Sequence, residues 1–225
     1  MKFAKSRNFN LSILQLLNPS IFQLFNSSIL HRMKLIYFHG FGSSGASGTV
    51  ETLRHLMPDD EVIAPDIPID PLDALPYLRE LCEQEQPDII LGTSMGGMYA
   101  HQMHGFKRIC VNPAVNMSTM SGVMKTGEHK FFNRRKDNQK TFRVTRELIQ
   151  HHNQVERQQF KNLTDEDIQH VWGLFGINDK TCNTYGLFSK HYPQCSRFDG
   201  EHQLNEKVIR KVVLPLIDEI MHNAL

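Results

Sequence analysis

From residue 33 onward, short runs of β-branched and aromatic residues alternate with longer stretches of helix-forming composition. The runs predict strands at 34–38 (KLIYF), 61–64 (EVIA), 88–92 (DIILG), 107–112 (KRICVN), 170–175 (HVWGLF) and 195–198 (CSRF). Helices are predicted near 46–57, 71–86, 95–104 and 205–223, the second with Asp70 as its cap and Pro71 in its first turn. Several of the strand runs are apolar throughout, as strands covered on both faces must be. The predicted class is therefore α/β, with a mostly parallel central sheet of about six strands and helices on both faces. The one long interval without a predicted strand, 117–165, is too short for a core of its own and reads as an inserted helical lid.

Residues 1–32 follow a different pattern. They hold four basic and no acidic residues, and Gln15, Asn18, Pro19, Gln23 and Asn26 break up their apolar letters. A secretory leader is the competing reading, from Lys2, Lys5 and Arg7, but its apolar centre should run unbroken for roughly 7–15 residues and the stretches here are far shorter. Met33 leads straight into the first predicted strand, so a domain opening there loses nothing from its core. The expectation is that residues 1–32 are an extension outside the core, which an over-called start codon would explain, and that 33–225 form the domain.

Composition adds mainly exclusions. With 40% hydrophobic and 22% charged residues over 225 positions the chain is an ordinary globular sequence, long enough to build a core without disulfide or metal. Twenty-five Lys+Arg against 24 Asp+Glu leave a formal charge of +1, so bulk electrostatics draws it toward neither nucleic acid nor an anionic membrane. No apolar run reaches the roughly 18 residues of a membrane span. The cysteines, Cys82, Cys110, Cys182 and Cys195, are widely spaced with no Cys-x-x-Cys, which implies no zinc site or disulfide framework and fits a reducing cytoplasm. His101/His104 and His151/His152 lack an accompanying acidic or thiolate cluster and read as surface histidines.

Charge is segregated along the chain. Residues 117–163 carry ten basic and four acidic residues, whereas 33–116 carry five and eleven. Lys125, Lys130, Arg134, Arg135, Lys136, Lys140, Arg143 and Arg146 could attract an anion, and Phe131, Phe132, Met117, Met120 and Met124 offer apolar surface beside them. An acyl-CoA would suit both features; a solvated helical face would account for the charges as well.

Two glycine turns carry the candidate chemistry. The first, His39-Gly-Phe-Gly-Ser-Ser-Gly45, contains Gly40-x-Gly42-x-x-Gly45, the spacing of a dinucleotide-binding turn, with Asp66 available as a ribose ligand. Equally, this turn could aim a backbone N–H at a site on the carboxyl edge of the sheet. The second, Gly92-Thr-Ser94-Met-Gly96, follows a predicted strand and precedes a predicted helix, the setting of a nucleophile elbow. An incidental capping serine would explain Ser94 but nothing downstream. The catalytic reading requires an acid after a later strand and then a histidine, and Asp179 and His202 stand in those positions. Asp199 and Asp66 are the competing acids; the first lies only three residues from His202 and the second belongs to an early strand.

Taken together, His39-Gly-Phe-Gly-Ser-Ser, Ala64-Pro-Asp-Ile-Pro68, Gly92-Thr-Ser-Met-Gly-Gly97, Gly176-Ile-Asn-Asp179 and Gly200-Glu-His202 make residues 33–225 resemble the α/β-hydrolases, and within them the small bacterial YqiA-type esterases. The resemblance implies cofactor-free hydrolysis of a small-molecule ester or thioester. It implies Ser94 as nucleophile, His202 as base, Asp179 as the orienting acid, and the Phe41 and Met95 amides as oxyanion donors. A non-catalytic member of the fold that binds a ligand or partner, and a dinucleotide-dependent oxidoreductase, remain as alternatives.

Overall fold

The structure, a computed structural model, describes residues 32–120 and 122–222. The expected extension thus lies, but for Arg32, outside the described residues. The six predicted strands all form, within a residue or so of their expected limits: β1 (Lys34–Phe38), β2 (Glu61–Ile63), β3 (Ile89–Thr93), β4 (Arg108–Val111), β7 (Val171–Gly176) and β8 (Cys195–Phe198). They join in the order β2-β1-β3-β4-β7-β8 with every neighbouring pair parallel.

Alternation along these strands divides the core into two layers. Ile36, Phe38 and Ile90 face one way, where they pack with Ala74 and Leu78 of helix α2 (Pro71–Glu85) and Met98 of α3 (Met95–Ala100). Leu35, Tyr37, Ile89 and Leu91 face the other, against Val50 and Leu53 of α1 (Gly48–Leu56) and Ile209, Val213 and Ile217 of the C-terminal helical run. Between their polar ends at Lys34, Thr93 and Arg108, the central strands carry apolar residues or glycine toward both layers, and that is what made them readable. Helix α2 begins as its sequence predicts: the Asp70 side chain accepts from the Leu72 amide at 2.9 Å and Pro71 takes the first position.

The 117–165 insertion is only partly helical. It opens with a 3₁₀ turn (Met117–Thr119), then forms an antiparallel hairpin of β5 (Gly127–Lys130) and β6 (Thr141–Val144) before helix α4 (Arg146–Glu156); α5 (Asp165–Gln169) begins at its end. The expected helical lid is thus a hairpin plus a helix. Cross-strand stacking of His129 on Phe142, with centroids 5.5 Å apart, supports the hairpin where β5 has no apolar residue of its own.

Two of the expected surface histidines are core residues. His101 is fully buried, with Nδ1 3.1 Å from the Tyr192 hydroxyl, Nε2 3.0 Å from Gln159 Oε1, and Phe160 stacked on its ring at 5.0 Å. Burial pulls its pKa down to about 3, so it stays neutral. His152 is also fully buried, beneath Phe41. A shell of rings around His101 and packing against Phe41 at His152 removed these side chains from water, and composition cannot reveal either. Among the described residues no helix is long and apolar enough to cross a membrane.

Candidate active site

Ser94 sits between β3 and α3 with φ 54° and ψ −121°, a backbone conformation that side-chain-bearing residues rarely adopt. Two glycines make the turn possible. A Cβ on Gly96 would overlap the Phe38 carbonyl, and one on Gly92 would overlap the Gly96 carbonyl. The turn is tied to the next strand, since the Ser94 amide donates to the Val111 carbonyl at 3.0 Å. Its hydroxyl is thereby presented at the carboxyl edge of the sheet.

Ser94 Oγ lies 3.0 Å from His202 Nε2, and His202 Nδ1 lies 2.8 Å from Asp179 Oδ2. The protonation pattern follows from the partners. Asp179 Oδ1 accepts from the Thr181 amide at 2.7 Å and the Cys182 amide at 3.0 Å, so the carboxylate is an acceptor on both oxygens. Nδ1 of His202 must then carry the proton, which leaves Nε2 to accept from the Ser94 hydroxyl. The Asp179 side chain is 2% exposed and that of His202 22%, so the carboxylate is sealed while the imidazole meets the cleft. The competing acids lie elsewhere in the network: Asp199 accepts from Asn178 Nδ2 at 3.2 Å, and Asp66 from the Gly45 and Lys136 amides at 2.8 and 2.6 Å. The two Asp66 oxygens thus tie the first glycine turn to the insertion.

The glycine turn after β1 stands beside Ser94. A Cβ added to Gly40 would lie 3.9 Å from Ser94 Oγ. The Ser43 amide closes this turn onto the Gly40 carbonyl at 3.2 Å, with Gly42 at φ +70° and Phe41 at the turn's second position. Met95 is the first residue of α3, where a helix leaves its amide without an intrahelical acceptor. His39 fixes the turn from beneath: Nδ1 donates to the Gly40 carbonyl at 2.8 Å, and Nε2 accepts from the Ile67 amide at 3.1 Å. That arrangement needs a neutral ring, and burial lowers the His39 pKa to about 4.

The insertion docks on the same turn. Phe132 donates its amide to the Gly42 carbonyl at 2.8 Å, Ser44 Oγ donates to the Arg134 carbonyl at 2.8 Å, and the Arg135 guanidinium reaches the Ile67 carbonyl at 3.2 Å. Between insertion and sheet runs a cleft of about 1050 Å³ that contains Ser94 and His202. Phe41, Phe131, Phe132, Phe142, Met117 and Met120 form its apolar wall; Met124 is buried in the core instead. Of the eight cations singled out from Lys125 to Arg146, Lys130 lines this cleft, while Arg135 and Arg143 line a separate cavity of about 600 Å³ behind Phe131 and Phe142. Cys182 is packed next to Ser94, and burial pushes its thiol up to about 12, with the Asp179 carboxylate adding to the effect. At neutral pH it is a protonated thiol and a poor nucleophile.

The sequence profile of the uncharacterised protein family UPF0227 matches residues 34–173, more than half of the chain. The chain belongs to that family. The matched stretch includes both glycine turns and Ser94; Asp179 and His202 lie beyond it. Solved structures add the fold. The chain is similar to Est1E from Butyrivibrio proteoclasticus at 13% identity and TM-score 0.58, covering 85% of this chain and 90% of that one. It is similar to a putative hydrolase from Agrobacterium vitis S4 at 15% identity and TM-score 0.61, covering 84% and 88%. A thioesterase domain from the curacin biosynthetic pathway matches at 15% identity and TM-score 0.50, covering 85% and 92%. No curated protein matches the sequence. The fold is the α/β-hydrolase fold, and at these identities the chemistry has to be argued from this chain's own residues.

Proposed function

We propose that this UPF0227 member is a serine hydrolase that cleaves carboxylic esters or thioesters through an acyl-enzyme on Ser94. The observation that carries the proposal is the hydrogen-bonded path Ser94–His202–Asp179 at the edge of an apolar cleft. A serine hydroxyl is a weak nucleophile at neutral pH and needs a base within hydrogen-bond reach. His202 Nε2 takes the Ser94 proton as Oγ attacks the substrate carbonyl carbon, and Asp179 stabilises the imidazolium that results. The amides of Phe41 and Met95 receive the oxyanion; one such donor is worth about 10²- to 10³-fold in rate. Collapse of the tetrahedral intermediate breaks the bond to the alcohol or thiol, which leaves with the proton from His202. Water then attacks the acyl-serine with His202 again as base, releasing the acid and restoring Ser94.

The apolar wall of Phe and Met side chains favours a substrate with an apolar acyl group. Lys130 at the same cleft suits an anionic leaving group such as that of an acyl-CoA. Four unpaired cysteines, three of them buried, support action in the reducing cytoplasm.

Ser94→Ala tests the reading. The variant is expected to fold normally and lose turnover of aryl esters across a graded acyl series; turnover at the wild-type rate would exclude Ser94 as nucleophile.

A further inference from the structure

Three side chains from three separate segments meet in this site, and something must hold their segments in register. Asn112, one residue past the end of β4, occupies that point. It is 1% exposed and sits at φ 45°, in the left-handed region that asparagine tolerates better than other side-chain-bearing residues. Its Oδ1 accepts from the Gly176 amide at 2.8 Å, at the end of β7, three residues before Asp179. Its Nδ2 donates to the carbonyl of Glu201 at 3.0 Å and to that of His202 itself at 3.1 Å. The neighbouring Val111 carbonyl accepts from the Ser94 amide at 3.0 Å. The dipeptide Val111-Asn112 is therefore bonded to the elbow, to the strand that delivers the acid and to the loop that delivers the histidine.

Only a primary amide fits this set of partners. Gly176 offers a donor and residues 201 and 202 offer acceptors, so the side chain must present oxygen to one and N–H₂ to the others. An aspartate could answer Gly176 but would set its second oxygen against two carbonyls, and glutamine is one methylene too long for the same span.

We propose that Asn112 is a positioning residue that sets the Ser94–His202–Asp179 geometry by tying the Asp179 strand and the His202 loop to β4. The proposal rests on the serine-hydrolase reading above and makes Asn112 act through His202, without contact with substrate. Displacements of about 1 Å in a reacting constellation cost on the order of 10²-fold in rate.

The test is Asn112→Asp, measured as the rate constant of fluorophosphonate labelling per titratable site and as kcat and KM for an aryl ester. A positioning role predicts that the labelling rate constant and kcat both fall on the order of 10²-fold while KM changes by less than about twofold. Fewer labelled sites that each react at the wild-type rate would reveal a merely structural role and overturn the proposal. If Asn112→Asp does not fold, Asn112→Ser decides the same question: its hydroxyl can serve one carbonyl but not the whole set, so a reduced rate constant per site supports the proposal and a wild-type one overturns it. Failure of the wild-type protein to label overturns both readings; a labelled wild type with an unchanged Asn112 variant overturns this one alone.

Discussion

Replacing Asp179 by asparagine exchanges one oxygen for an NH₂ with almost no change in size, and the surrounding amides dictate where that NH₂ must go. Thr181 and Cys182 both donate to Oδ1, so the retained oxygen stays there and the new NH₂ takes the Oδ2 position, 2.8 Å from His202 Nδ1. Two donors cannot share that contact. His202 must move its proton to Nε2, where it faces Ser94 Oγ at 3.0 Å and can no longer accept the serine proton. Loss of the base by tautomer reversal costs about 10⁴-fold in kcat, equivalent to about 5.5 kcal/mol of transition-state stabilisation. Because the two amide bonds to Oδ1 survive, the thermal midpoint is expected to change little. The assay is initial-rate hydrolysis of an aryl ester with the midpoint measured on the same preparation. A folded Asp179→Asn protein with kcat within tenfold of wild type would refute the tautomer argument, and with it the role assigned to Asp179.

Two further predictions concern charge. His39, His101 and His152 are held neutral by burial at about 4, 3 and 4, against an ordinary 6.5. Unfolding lets each take up a proton, so from pH 6.5 down toward 4 the unfolded chain binds more protons and stability falls as pH falls. Each contributes at most about 1.4 kcal/mol per pH unit, so the urea midpoint should drop steeply between pH 6.5 and 5; a flat midpoint there would contradict the buried neutral rings. At the cleft, Lys130→Ala is expected to raise KM for an acyl-CoA by about two- to fivefold, the range of an exposed charge contact, and to leave KM for a neutral ester unchanged. Equal shifts for both substrates would remove the anionic leaving group from the account.

The sheet was legible because burial on both faces demands apolar runs, and residues 35–38 and 89–91 advertise themselves that way. Ser94, Asp179 and His202 could be singled out because a strained turn needs its glycines and because the three follow separate strands in a fixed order. What the sequence concealed depends on partners far away in the chain. Strand β5 reads Gly-Glu-His-Lys, with no apolar side chain to signal it, and exists through its pairing with β6. Asn112 looks like an ordinary polar residue at a strand end; its role depends on Gly176, Glu201 and His202, 64 to 90 residues distant. His101 and His152 looked like surface residues because the ring shell around His101 and the packing beneath Phe41 appear only on folding.

The central claim is that Ser94 is a nucleophile activated by His202. It is tested most directly by treating the folded protein with a fluorophosphonate and mapping the adduct by peptide mass. The account predicts one adduct per chain, on Ser94, and its loss in His202→Ala. An unmodified Ser94, or an adduct on another residue, would contradict it.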